Sequence, residues 1–209
     1  MNSDVRQASG DGPAARGPGE GAVRAFIAVE VSDKVKAGLN AFQSVVRSRV
    51  PGARLVSTET MHLTLVFMGD TPREFLPQVE AAMDSVAAGF APLRFEVRGV
   101  GAFGSARAPR VIWAGIADCG PLMDLQARLA AELRERGAKL ESRPFSPHLT
   151  IARLKPGARA DDVAGLTAAE RDRSFGRVEA RRLLLFESDL RPKGPVHSVL
   201  HESCLGKSA

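Results

Sequence analysis

Cysteine is nearly absent from this chain of 209 residues: Cys119 and Cys204 stand far apart and in no C-x-x-C arrangement. Two such residues suggest neither a disulfide framework nor a thiolate zinc site, and a reducing compartment, the cytoplasm, is expected. Long apolar runs are missing too. No stretch approaches the roughly 18 apolar residues that a membrane helix needs, so no membrane partner is expected. Residues 1–21 hold no apolar core of the kind a signal peptide requires. They are rich in Gly, Pro, Ala, Ser and Asp, which predicts a disordered tail ahead of one bilobal domain over 22–209. Histidine is scarce, with four in the chain, and tryptophan scarcer, with Trp113 alone.

What is present is the composition of an ordinary globular protein, 44% hydrophobic and 25% charged, long enough to bury a substantial core. The net charge is +5; the tail sets Arg6 and Arg16 against Asp4, Asp11 and Glu20, which leaves the remainder at +6. A positive balance in the folded part suits a polyanionic partner such as RNA.

Hydrophobic spacing predicts a buried strand over 23–31 and a helix capped by Ser32 that runs to about residue 49, with Val35, Leu39, Phe42, Val45 and Val46 on one face. A strand over 61–68 follows. Gly69-Asp70-Thr71-Pro72 reads as a turn in which Thr71 caps a helix, Pro72 is its first residue, and the helix extends to about residue 88. Strands are predicted over 93–100 and 110–116, the latter placing Trp113 in packing, and a helix over 121–136 carries Leu122, Leu125, Leu129 and Leu133 on one stripe. Then the order repeats: a strand over 148–154, a helix over 161–170, and closing strands over 175–186 and 196–202. Gly99-x-Gly101-x-x-Gly104 has the letters of a dinucleotide fingerprint but opens no helix, so it is set aside. The arginine-rich stretch over 171–182 reads as a solvated face.

The repeat carries the chemistry. His62-Leu63-Thr64-Leu65 is echoed 86 residues later by His148-Leu149-Thr150-Ile151. Alternation along a strand puts His62 with Thr64, and His148 with Thr150, on one face, while the aliphatic residues anchor the other. Histidine, with an ordinary pKa of about 6.5, can serve as base or acid near neutrality. Two copies could give a proton and take one on opposite sides of a reacting phosphorus, with the threonine hydroxyls holding its oxygens. A metal site is the competing reading. No Cys, Asp or Glu stands at ligand spacing around either motif, since Glu59 has the wrong strand parity, and neither metal nor cofactor is expected. The order of elements predicts an α+β fold: two pseudo-symmetric lobes whose antiparallel sheets form a central cleft, with helices outside.

These motifs resemble the two-histidine phosphoesterase superfamily, and within it the LigT-like RNA 2′,3′-cyclic phosphodiesterases, formerly called 2′-5′ RNA ligases. The resemblance spans nearly the whole chain after the tail. It rests on Arg24-Ala25-Phe26-Ile27-Ala28-Val29, on His62-Leu63-Thr64-Leu65-Val66-Phe67-Met68-Gly69, on Phe145-Ser146-Pro147-His148-Leu149-Thr150-Ile151-Ala152-Arg153, and on the segment from Glu187-Ser188 to Pro195. It implies His62 and His148 as catalysts, Thr64 and Thr150 as phosphate contacts, Arg153 as a further phosphate-binding cation, and Phe67 as an aromatic near the nucleotide. Phe67 and Arg153 lie five residues after their histidines, so a regular strand would turn them away and a bulge or strand end is required. Leu55 and His197 depart from the pattern, standing where relatives often have Trp and Tyr.

The implied reaction is hydrolysis of a terminal RNA 2′,3′-cyclic phosphate to a 2′-phosphate by a monomer, with His148 activating water, His62 protonating the leaving oxygen, and reverse 2′-5′ ligation open to the same groups. The alternatives are a non-catalytic RNA-end binder, or a phosphodiesterase for 2′,5′-linked oligonucleotides or another small cyclic phosphate.

Overall fold

The computed structural model describes residues 21–191 and 194–206. The expected tail over 1–21 lies outside these residues except for Gly21. In β1 (Ala22–Glu30) strict alternation buries Val23, Ala25, Ile27 and Val29 completely on one face, and leaves Arg24, Phe26 and Ala28 on the other. Ser32 then starts α1 (Asp33–Arg49) by accepting a hydrogen bond from the Val35 N–H, and Val35, Leu39, Phe42 and Val46 form its buried stripe. The chain continues through β2 (Arg54–Leu55), β3 (His62–Pro72), α2 (Leu76–Ala87), β4 (Leu93–Ser105), β5 (Ala108–Ala117) and α3 (Gly120–Glu135). It ends through β6 (His148–Arg153), α4 (Ala160–Ala169), β7 (Ser174–Ala180), β8 (Arg182–Arg191) and β9 (Gly194–Cys204).

Two sheets result, in the orders β3-β1-β8-β9 and β2-β6-β5-β4-β7, and every pairing is antiparallel. Helices α2 and α3 pack on each other and against the first sheet; α1 and α4 pack against the second. The two-lobed α+β architecture is therefore as expected, and the repeat is real: β1-α1-β3-α2 corresponds to β5-α3-β6-α4. The halves are nevertheless interwoven. The strand after α2 joins the second sheet, β8 and β9 return to the first, and α1 covers the sheet that its own preceding strand does not join. One contiguous cluster of buried side chains runs through both lobes, from Val23 in β1 to Leu205 after β9.

Two sequence expectations are corrected. Gly69 to Pro72 is not a helix-starting turn but the end of β3, paired with Ala22 to Ala25 of β1. Thr71 is buried there, its hydroxyl donating to the Gly69 carbonyl rather than capping a helix, and α2 begins after a 3₁₀ turn with Pro77 in its first turn. Strand pairing outweighs the local turn chemistry. Residues 175–186 are two strands, not one: Ala180 pairs with Leu93 in the second sheet, and Arg182 pairs with Cys204 in the first.

Candidate active site

Strands β3 and β6, one from each sheet, approach within 8 Å of each other, Cα to Cα. Both follow the same pattern: His62 and Thr64 are half-buried while Leu63 is sealed, and His148 and Thr150 are half-buried while Leu149 is sealed. Each motif thus offers its polar face and anchors through its aliphatic one.

Both strands then make the same irregularity at the same step. Ala28 pairs with Thr64 and the next residue back, Ile27, pairs with Val66, so Leu65 is an extra residue in β3. Trp113 pairs with Thr150 and Ile112 pairs with Ala152, so Ile151 is an extra residue in β6. Such β-bulges shift side-chain parity by one. Leu65 with Val66, and Ile151 with Ala152, are buried in succession, and Phe67 and Arg153 emerge exposed on the face of the histidine and threonine. The bulge required by the five-residue spacing is present in both lobes.

Each imidazole is braced from behind. His62 Nδ1 lies 2.8 Å from the Thr60 carbonyl and His148 Nδ1 lies 2.7 Å from the Ser146 carbonyl, in both cases two residues earlier. A carbonyl only accepts, so Nδ1 carries the proton and Nε2 is the free, basic nitrogen of the neutral ring.

The surroundings differ between the lobes. His62 stacks on Phe26 with centroids 4.6 Å apart, has Phe186 at 5.7 Å, and meets His197 edge-on at 5.2 Å. Burial is the main reason that its pKa falls from 6.5 to about 4; His197 and Lys36 add to the fall and the Thr60 carbonyl opposes it. His148 meets Phe103 edge-on at 4.7 Å, and its pKa is also lowered, first by burial and then by Arg153, against the Ser146 carbonyl. Arg24 lies over the Phe67 ring at 4.9 Å, a cation–π contact.

Two side chains beside the histidines need the structure to place them. Trp113 does alternate with the fully buried Ile112, but it faces the cleft, opposite Thr150, rather than the core. Its ring lies over Gly101, the partner of Trp113 in β4, and close to Gly115, the partner of His148: a Cβ on Gly101 would fall inside the indole. Of the glycines in the discarded fingerprint, Gly101 marks this close approach. His197, the departure from Tyr, sits against His62 and Phe26, and burial lowers its pKa. His201 lies elsewhere, on Asp84 at 2.9 Å.

Among the described residues no three His, Cys, Asp or Glu side chains are grouped to hold a metal ion, and no helix is long and apolar enough to cross a membrane. Cys119 and Cys204 are free thiols.

Two antiparallel sheets that each contribute one His-x-Thr strand to a cleft make this a two-histidine phosphoesterase fold. Residues 31–191 match the family model of the 2′-5′ RNA ligase superfamily, and the chain belongs to that family. An RNA 2′,3′-cyclic phosphodiesterase of Archaeoglobus fulgidus is 33% identical over 85% of this chain and 98% of its own length. One of Thermotoga maritima is 34% identical over 86% of this chain and 94% of its own. The crystal structure of TT0787 of Thermus thermophilus superposes with a TM-score of 0.74 at 32% identity, over 89% of this chain and all of that one. LigT of E. coli in its apo form shares the fold with a TM-score of 0.71 at 18% identity, over 89% of this chain and 99% of its own.

Proposed function

We propose that this chain hydrolyses the 2′,3′-cyclic phosphate at an RNA terminus to a 2′-phosphate, with His62 and His148 as the proton-transfer pair. The observation that carries the reading is the duplicated brace: two imidazoles, each locked through Nδ1 to the carbonyl two residues back, each beside a threonine hydroxyl. Relatives named RNA 2′,3′-cyclic phosphodiesterase support the substrate.

In the step itself water attacks phosphorus in line with the 3′ oxygen. His148 Nε2 takes the water proton as the new P–O bond forms, and His62 Nε2 gives its proton to the 3′ oxygen as the P–O3′ bond breaks. Burial keeps His62 neutral in the free protein, so its proton must be stabilised by the substrate: the anionic phosphate compensates the burial that drives its pKa to about 4. Thr64 and Thr150 donate to the non-bridging oxygens, Arg153 balances their charge, and Phe67 offers a face to the terminal base. A 5′-hydroxyl attacking in place of water gives a 2′-5′ linkage by the same transfers in the same direction: P–O5′ forms, P–O3′ breaks, and the 3′ oxygen takes the proton from His62. The chain works as one domain over 22–209, as a monomer in the cytoplasm, where the thiols Cys119 and Cys204 stay reduced.

The test is incubation of the protein with a cyclic-phosphate oligonucleotide in excess chelator, followed by end-group analysis. A 2′-phosphate product supports the reading. An unchanged end that nonetheless binds tightly replaces it with an RNA-end binder, and cleavage only of 2′,5′-linked oligonucleotides moves the activity to that substrate.

A further inference from the structure

Strand β2 has two residues, and its register settles where each points. Leu55 pairs with Ala152, which is fully buried, and packs against the core; Arg54 pairs with Arg153. Directly paired residues of an antiparallel ladder share a face. The Ile151 bulge sets Arg153 on the face of His148 and Thr150, and Arg153 is close enough to lower the His148 pKa. Arg54 is therefore on that face too, one strand further out.

Like charges directly opposite each other on neighbouring strands repel, and a sheet holds them for a reason other than its own stability. Other strand arginines face acidic residues across their ladders, Arg24 opposite Asp70, Arg94 opposite Glu179 and Arg177 opposite Glu96. Several surface arginines hold carboxylates, Arg73 on Glu187, Arg136 on Glu132 and Arg182 on both Glu30 and Glu202, although Arg47, Arg49, Arg107 and Arg128 hold none among the described residues. Among the described residues neither Arg54 nor Arg153 has an ion pair or hydrogen bond with a carboxylate. Two unmatched guanidinium groups side by side, both exposed, make a site whose missing member is an anion, and planar forked donors suit phosphate oxygens.

We propose that Arg54, directly opposite Arg153, is a second anion subsite, which takes the phosphodiester joining the terminal nucleotide to the one before it. This rests on the proposed hydrolysis, and places the reacting phosphate at His148, Thr150 and Arg153 with the next phosphate along the strand at Arg54. The protein then prefers an RNA end to a mononucleotide. Arg54 supplies that preference, because a nucleoside 2′,3′-cyclic monophosphate has no second phosphate to offer it.

The experiment compares kcat/KM for a nucleoside 2′,3′-cyclic monophosphate and for a short oligoribonucleotide ending in the same group, using the full chain and the variants Arg54→Ala and Arg54→Lys, at several salt concentrations. Arg54→Ala should lower the oligonucleotide-to-mononucleotide ratio about tenfold, as expected for a lost charge-assisted bond. It should also flatten the salt dependence for the oligonucleotide by about 0.7 in log–log slope, as expected for one single-strand phosphate. Arg54→Lys should keep most of the slope and lose part of the ratio. A ratio unmoved by Arg54→Ala overturns the subsite, as does a melting temperature lowered by that change, since relieving repulsion should not cost stability. Failure of the underlying reading looks different: the unaltered chain would turn over neither substrate. Binding of a 2′-phosphate-ended oligonucleotide, measured by anisotropy, would then still decide the subsite, which stands if Arg54→Ala weakens that binding and falls if it does not.

Discussion

The imidazole of His62 and the phenyl ring of Phe26 lie nearly parallel, 4.6 Å between centroids and 24° between planes. Phe26 is paired with Phe67, not with His62, and reaches His62 diagonally past Ala28, whose small side chain opposite Thr64 leaves the path open. One face of the imidazole is thereby covered, and burial is the main cause that lowers its pKa to about 4. Phe26→Ala should let water reach that face and move the His62 pKa up toward 6.5. Titration followed by the His62 ring resonances checks this, and a ring still titrating near 4 in the variant would assign the burial to other neighbours. Addition of inorganic phosphate to the unaltered protein should shift the same resonance upward, because an anion beside Nε2 favours its protonated form.

The same depression makes folding sensitive to acid. His62 titrates at about 4 folded and at 6.5 when released, so between those values the unfolded chain binds the extra proton. Stability is then greatest above about 6.5, falls as pH drops toward 4, and stops falling from this cause below that, by up to about 3 kcal/mol from His62 alone. His148 and His197 are shifted in the same direction. Urea midpoints of the chain and of His62→Ala at pH 7.5 and pH 4.5 isolate the His62 share: the variant should lose less stability on acidification.

Catalysis should depend on each brace as well as on each ring. His62→Ala and His148→Ala should each reduce turnover of a cyclic-phosphate oligonucleotide by roughly 10² to 10⁴. Equal activity of either variant and the parent would remove that residue from the proton-transfer pair.

The histidines and threonines are legible in the sequence because alternation of period two needs no partner strand to be read. Phe67 and Arg153 are legible only as a contradiction between spacing and parity. The trace of its resolution is the pair of adjacent aliphatics, Leu65-Val66 and Ile151-Ala152, which a bulge buries together. Alternation alone assigns Trp113 to packing, because Ile112 and Trp113 do take opposite faces; which of the two faces the cleft is decided by Gly101 and Gly115 on neighbouring strands, and pairing is not a local property. The split of residues 175–186 at Arg181 carries no Gly, Pro or Asn, so nothing announces that the chain changes sheets there. Gly69 to Pro72 is the opposite case, having the residues of a turn and the pairing of a strand.

Phe67 is 38% exposed, unusual for a phenylalanine without a partner to cover it, and its ring is held by the Arg24 guanidinium at 4.9 Å. A stacked terminal base would use the free face. Phe67→Ala should raise KM for a cyclic-phosphate oligonucleotide by about 5- to 150-fold, the equivalent of about 1 to 3 kcal/mol of base stacking, with little change in kcat. A large fall in kcat at constant KM would instead place Phe67 in the chemistry.

The Trp113 ring fills the space that Gly101 leaves, and a methyl group at Gly101 has nowhere to go without moving it. Gly101→Ala should therefore destabilise the fold by about 1 to 3 kcal/mol through overpacking. In a chain of this size that corresponds to about 2 to 4 °C of melting temperature for each kcal/mol. Because Trp113 is the only tryptophan, its emission reports the movement directly and should shift to the red as the ring gains water. Turnover should fall with it, since the ring stands opposite Thr150 and next to the Phe103 that meets His148, with centroids 5.3 Å and 4.7 Å apart. The matched control is Gly120→Ala at the start of α3, where a Cβ meets nothing within 4 Å and neither emission nor turnover should change. If Gly101→Ala leaves the emission maximum and the melting temperature where they were, the indole is not wedged against that backbone and does not form the floor beneath Thr150.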